Sequence, residues 1–113
     1  MEKFEYYTQY KDLDELRTFD PDLAKELKEA RSEIKSSEEI DIYDDLETFA
    51  DHEIVEGWYY DSLNVDLSNY KIYHGAPRIY DFIDLKGLGK AIANTWDESY
   101  HYLSPSGKVA EFY

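Results

Sequence analysis

The sequence predicts an α+β fold: a small acidic domain with two main helices and a few antiparallel strands, closed by a C-terminal hairpin. Three observations carry this reading. Leu23, Leu27, Ala30 and Ile34 recur at spacings of four, three and four, the apolar stripe of a helix. The stretch "EEIDIYDD" alternates apolar and polar residues, the pattern of a strand. The turn "SPSG" separates two runs rich in aromatic and apolar residues near the end of the chain, as in a hairpin. Helices and antiparallel strands together in 113 residues give the α+β class in one domain, residues 1–113.

Each element has a local reason. "KDLDELRTF" reads as a short helical turn that stops at "DPD". Asp20 then reads as an N-cap, Pro21 as the first helical position and Asp22 as an acid at the positive helix end. The helix that follows, "PDLAKELKEARSEIKSS", has a mixed polar face, with Lys25 and Glu29 four residues apart. In the next strand Ile40 and Ile42 face the core, while Asp41 and Tyr43 face water. "DDLETFADHE" forms a helical turn packed through Leu46, Phe49 and Ala50. The aromatic run Trp58-Tyr59-Tyr60 draws "EIVEGWYYDSL" towards strand, and "NYKIYHG" reads as a further strand turned by Gly75 and Pro77. "IDLKGLGKAIANTW" is the second main helix, capped by Asp84, with Leu85, Leu88, Ala91 and Ile92 inward. Its two glycines each cost about 1 kcal/mol against alanine.

The hairpin "SYHYLSPSGKVAEFY" completes the chain. Its last strand, Lys108 to Tyr113, reads as a sheet edge. Tyr102, Val109, Phe112 and Tyr113 then have two readings: they cover the protein's own helix, or they form a two-fold dimer contact.

Charge is distributed unevenly. The formal net charge is −14, from 26 acids and 12 lysines and arginines. Residues 1–60 hold nineteen acids and seven bases, a net of −12; residues 61–113 hold seven and five, a net of −2. Residues 36–57, "SSEEIDIYDDLETFADHEIVEG", contain nine carboxylates and no lysine or arginine. A sequence pI near 4.4 makes nucleic acid and anionic membranes poor partners, and a basic protein surface a good one.

Several chemistries lack their residues. There is no cysteine, so neither a disulfide scaffold nor a thiolate zinc site is available. Asp41, Asp44, Asp45, Asp51, His52 and Glu53 are metal-ligand types, but the EF-hand spacing and HExxH are absent. His52, His74 and His101 stand outside any motif, and neither GxSxG nor a phosphate loop occurs. The expectation is a protein without catalysis, cofactor or metal. No apolar run approaches the roughly 18 residues of a membrane span, and "MEKFEYYTQY" lacks a signal-like core, so the expected location is cytoplasmic.

Twelve tyrosines and two tryptophans accompany the acids. Such rings fill cores, but a tyrosine also keeps a polar tip for a contact surface. Duplex DNA carries a negative charge about every 1.7 Å of axis, counting both strands. On a helix, Asp44, Glu47 and Asp51 would stand about 5–6 Å apart from neighbour to neighbour, comparable to phosphates. Glu39 and Asp41 would continue the row. Selection for stability alone would interleave lysines, as in residues 21–35.

"SEEIDIYDDLETF", residues 37–49, resembles the signature of the ArdA-type antirestriction proteins: an acidic pair, an apolar–x–acid core and an acidic or aromatic cluster ending in phenylalanine, preceded by a helix like residues 21–35. "YDFIDLKGLGKAI", residues 80–92, is similar to a later segment of that family. The resemblance implies a DNA mimic carried by a phage or mobile element, acting in the host cytoplasm on the DNA-binding groove of a restriction–modification enzyme. It assigns groove contacts to Glu38, Glu39, Asp41, Asp44, Asp45 and Glu47. The base-free stretch adds Asp51, Glu53 and Glu56. An anti-CRISPR inhibitor would present the same pattern. The alternative is an acidic interaction module, of antitoxin or immunity type, whose basic partner is unrelated to DNA.

Overall fold

The structure, a computed structural model that describes residues 1–30 and 39–113, is α+β. In chain order its elements are β1 (Glu2–Lys3), β2 (Thr8–Tyr10), α1 (Leu13–Phe19), α2 (Pro21–Ala30), β3 (Ile40–Tyr43), α3 (Leu46–Val55), α4 (Trp58–Leu63), two 3-10 turns (Tyr70–Tyr73 and Ile79–Phe82), α5 (Leu85–Thr95), β4 (His101–Leu103) and β5 (Val109–Phe112). The strands form one antiparallel sheet in the order β1-β2-β3-β5-β4. No helix among the described residues is long and apolar enough to cross a membrane.

Aspartates start most of the helices. Asp12 accepts the Glu15 N–H at 2.8 Å, Asp20 the Leu23 N–H at 3.2 Å, Asp45 the Thr48 N–H at 2.7 Å and Asp84 the Gly87 N–H at 3.0 Å. Each satisfies an orphan amide and puts a negative charge at the positive end of the helix dipole. The expected Asp20 and Asp84 caps are therefore present. The remainder of the expected first main helix, with Ile34, lies outside the described residues.

The sheet is covered on both faces. On one, α1 and α2 bring Leu13, Leu16, Leu23 and Leu27 onto Ile40, Ile42, Ala110 and Phe112. On the other, Tyr43 and Val109 meet Phe49 of α3, with Leu46, Ile92 and Trp96 against them. The predicted alternation of β3 holds, but its second side is not wet. Asp41 is 4% exposed and Tyr43 fully buried, because the layer of α3 and α5 closes over them.

Four other expectations change. "EIVEGWYYDSL" is helical: α3 runs to Val55, and Gly57 lets Glu53 fold back so that its Oε2 accepts the Trp58 N–H at 3.0 Å, opening α4. "NYKIYHG" is a 3-10 turn that Asn69 starts by accepting the Lys71 N–H. Ala91 is exposed; the inward side of α5 instead brings Gly89 against α3. Finally, β5 is interior to the sheet, between β3 and β4. Val109 and Phe112 are buried in the protein's own core, so they cannot form the expected dimer contact through an open edge. Tyr102 is packed beside the same core, and only Tyr113 of that set is exposed.

Gly89 sets the distance between α3 and α5. A Cβ there would lie 2.5 Å from the backbone carbonyl oxygen of Leu46. The glycine that weakens the helix locally allows the close crossing. Gly89→Ala should gain about 1 kcal/mol of helix propensity and lose more through overpacking, typically 1–3 kcal/mol. A lowered urea midpoint is expected. An unchanged or raised midpoint would show that the two helices separate without cost.

Candidate functional site

The nine acids assigned from the sequence do not form one row. Glu38 lies outside the described residues. Glu39 is half-buried, and its backbone carbonyl accepts the Tyr113 N–H at 2.9 Å. Asp41 is buried and cannot touch a partner, a correction that follows from the second helical layer. Asp45 is exposed but serves as the α3 cap, and with Glu47 it shares a surface groove with Lys86 and Lys90. Two lysines that are distant in sequence thus dilute the field at that end. Glu53 is engaged by the Trp58 amide and by His52, whose Nδ1 is 3.4 Å from Glu53 Oε1. Glu56 is exposed, with Oε2 3.8 Å from His52 Nε2.

A different group of acids does converge. Asp51 accepts the Tyr80 hydroxyl at 2.6 Å, which fixes it on the flank of α3 near the β1–β2 connection. There the Tyr6 phenol is pushed up to about 12, by burial first and then by Asp51, Glu5, Glu56 and Asp66. Four carboxylates from three separated stretches of sequence therefore act on one phenol. Asp44 lies in a groove with Glu5 and Tyr6, where, among the described residues, Lys3 is the one base. Among the described residues, Glu5, Asp44, Asp51 and Asp66 make no ion pair. Glu5 and Asp66 were invisible to a reading based on local runs, because only the fold carries them to α3.

Beneath this surface lies an internal polar row. The register aligns Gln9, Asp41, Glu111 and His101 as successive cross-strand neighbours on the α3/α5 face. Two carboxylates directly opposite each other repel. Burial first, and then Glu39 and Glu111, raise Asp41 to about 7, and its Oδ1 has no hydrogen-bond partner. Burial would also raise Glu111, but His101 Nε2 at 2.9 Å and the Tyr113 hydroxyl hold it below the usual glutamate value. His101 and His52 are raised: burial opposes protonation, while Glu111 and Glu53 respectively, as hydrogen-bond acceptors, outweigh it. Tyr43 reaches both sides of the row, with its hydroxyl 3.3 Å from His52 Nδ1 and 3.4 Å from Glu111 Oε1. No grouping among the described residues has the geometry to hold a metal ion.

Comparison with family models, with curated proteins and with solved structures finds no match to this chain.

The internal row makes stability depend on pH. Asp41 binds its proton more tightly in the folded state than in the unfolded chain, so stability falls as pH rises from about 4 to about 7. The raised histidines act in the same sense: their contribution is present below about 6.5 and is lost as pH rises through their folded values. Asp41→Asn keeps an amide near Gln9 and removes the charge. It should raise the melting temperature at pH 8, with the gain shrinking as pH approaches 4. A gain of equal size at both ends of that range would mean that charge is not the cause.

Proposed function

We propose that this protein is a DNA-mimic inhibitor of antirestriction or anti-CRISPR type, encoded by a phage or mobile element. It occupies the DNA-binding groove of a host restriction–modification or other nucleic-acid enzyme. The observation that carries this reading is that Glu5, Asp51, Glu56 and Asp66, from three separated stretches, all act on Tyr6, while Glu5 and Asp44 line a groove beside it in which, among the described residues, Lys3 is the one base. A fold under selection for stability alone gains nothing from drawing acids of separate segments to one place, since each close pair repels. A basic groove recovers that cost on binding. The longest dimension of the chain, 48 Å, spans a little more than one duplex turn of about 34–36 Å. The resemblance of residues 37–49 and 80–92 to the ArdA-type proteins agrees with this reading. Inhibition then needs no chemical step and no cofactor; it is occupancy, and the place of action is the host cytoplasm.

One feature favours a second reading, an acidic interaction module whose basic partner does not bind DNA. Trp58, Leu63, Tyr70, Ile79 and Phe82 are all more than half exposed, apolar side chains of the type that protein partners cover. The two readings differ in competition. Duplex DNA displaces a mimic from its enzyme and leaves an interaction module in place.

The combined variant Glu5→Gln, Asp51→Asn, Glu56→Gln and Asp66→Asn should lose inhibition of a restriction enzyme's DNA cleavage by at least roughly tenfold, while its melting temperature holds or rises. The amides retain the acceptors that Tyr80 and Ser68 use. Full inhibition by this variant would remove the acidic face as the contact. Association should also slow by roughly 10-fold or more between low and high salt, because steering by a −14 chain is screened. An on-rate independent of salt would place the binding energy in the exposed aromatic surface instead.

A further inference from the structure

The end of α3, the start of α4 and the end of α5 enclose a cavity of about 420 Å³ whose walls are aromatic and whose lining holds two carboxylates and His101. Trp58 and Tyr59 stand edge to face, with centroids 4.9 Å apart and planes at 87°. Phe49 and Trp96 do the same at 5.7 Å and 77°. Two pairs of nearly perpendicular rings thus form its sides, while Glu53 and Asp97 reach its lining. Among the described residues no lysine or arginine contributes to it. His101 does line it, stacked on Trp96 at 5.1 Å and 12°, but its Nε2 is already paired with Glu111 at 2.9 Å.

We infer that this cavity is a receptor for a single cationic side chain, the guanidinium of an arginine on a basic protein partner. Electron-rich ring faces attract cations, and the planar guanidinium stacks on them while its N–H groups reach carboxylates. The chain uses the same chemistry internally, with the Arg78 guanidinium 3.9 Å above the Tyr70 ring and paired with Asp81. Charge complementarity selects the occupant: Glu53 is held by the Trp58 amide and His52, and Asp97 by the Ser99 amide, so both carboxylates are fixed in the lining, where a cation is attracted and an acidic segment would meet like charge. The construction is deliberate in its backbone. Glu53 fixes the start of α4 through the Trp58 amide, and Gly57 is the residue that leaves room for it, since a Cβ there would lie 2.7 Å from Glu53 Oε2. Trp58 is held in this place although 63% of it remains in water. The inference rests on the proposed function for its basic partner and adds a specific anchor to what is otherwise diffuse attraction.

The test is a titration of the intact chain, followed by NMR, with the peptide acetyl-Gly-Arg-Gly-amide and with its citrulline counterpart, which has the same shape without the charge. The indole N–H resonances of Trp58 and Trp96 should shift saturably with the arginine peptide. The citrulline peptide should bind at least roughly tenfold more weakly. Trp58→Ala should lose roughly tenfold in affinity with an unchanged fold, as the residue is largely exposed. Should that variant unfold, Glu53→Gln serves instead, since its carbonyl can still accept the Trp58 amide while the charge is lost. Equal binding of the two peptides would overturn the proposal. So would a lysine peptide that matches arginine, or shifts confined to residues around Tyr6. No nucleic-acid enzyme is present in this titration, so its failure is distinct from a failure of duplex DNA to compete with the protein for its target.

Discussion

Ile40–Tyr43 is paired on both sides and covered on both faces, and two layers of helix must agree on its position. Ile40 and Ile42 fix α1 and α2, while Tyr43 fixes α3 through the edge-to-face contact with Phe49 at 4.9 Å. The pairing is non-sequential: β3 lies between β2, which precedes it by some thirty residues, and β5, which ends nearly seventy residues later. Both chain ends are therefore tied to one four-residue strand. A one-residue slip would exchange the isoleucines for Asp41 and Tyr43 and empty both cores at once. The acidic face depends on the same register, because β2 and β3 hold the β1–β2 connection, with Glu5 and Tyr6, beside α3.

That strand carries a cost in its own centre. Asp41 faces Glu111 across the ladder inside a layer of aromatic rings, where an ionised carboxylate without partners is strongly disfavoured. The row offsets this unevenly. Glu111 has His101 and Tyr113, whereas Asp41 has Gln9 for one oxygen and nothing for the other. One member of the pair stays an anion and its neighbour holds a proton to about neutral pH. Two carboxylates share a site by dividing their protonation states. The arrangement belongs to stability rather than to contact, since Asp41 is out of reach of any partner.

How much of this was legible in the sequence follows the range of the forces involved. The Asp20 and Asp84 caps, the alternation of β3 and the C-terminal hairpin are decided within a few residues, and the sequence shows them. Trp58-Tyr59-Tyr60 resembles a strand by propensity, but the Glu53 carboxylate that accepts the Trp58 amide, with Gly57 leaving room for it, makes it helical, and propensity counts glycine only as a helix breaker. The buried state of Asp41 was hidden because a strand with one polar side looks the same whether water or a second helical layer faces it. The interior position of β5 depends on its pairing with β3, which no local pattern encodes. For the site, the base-free stretch pointed to α3 and its C-cap, where Asp51 and Glu56 lie. It could not show that Lys86 and Lys90 share a groove with Asp45 and Glu47, or that Glu5 and Asp66 act with Asp51 on Tyr6.

The surplus of acids has to be divided before it is read as function. Asp12, Asp20, Asp45 and Asp84 start helices, and Asp20 also holds Lys108 at 3.0 Å. Asp14 and Asp81 pair with arginines, and Glu111 belongs to the buried row. Those paired with arginine, lysine or histidine are neutralised within the chain, and the caps are committed to their helix ends. What remains around Tyr6 is smaller than the composition suggests, but it is concentrated. Asp51 is held by Tyr80 and Asp66 by the N–H and hydroxyl of Ser68, so both are fixed before any partner arrives. Fixed anions repel each other in the absence of a partner and lose little rotamer entropy on meeting one. Such a surface discriminates by position as well as by sign, which is what a groove shaped for phosphates at regular intervals would demand of an inhibitor.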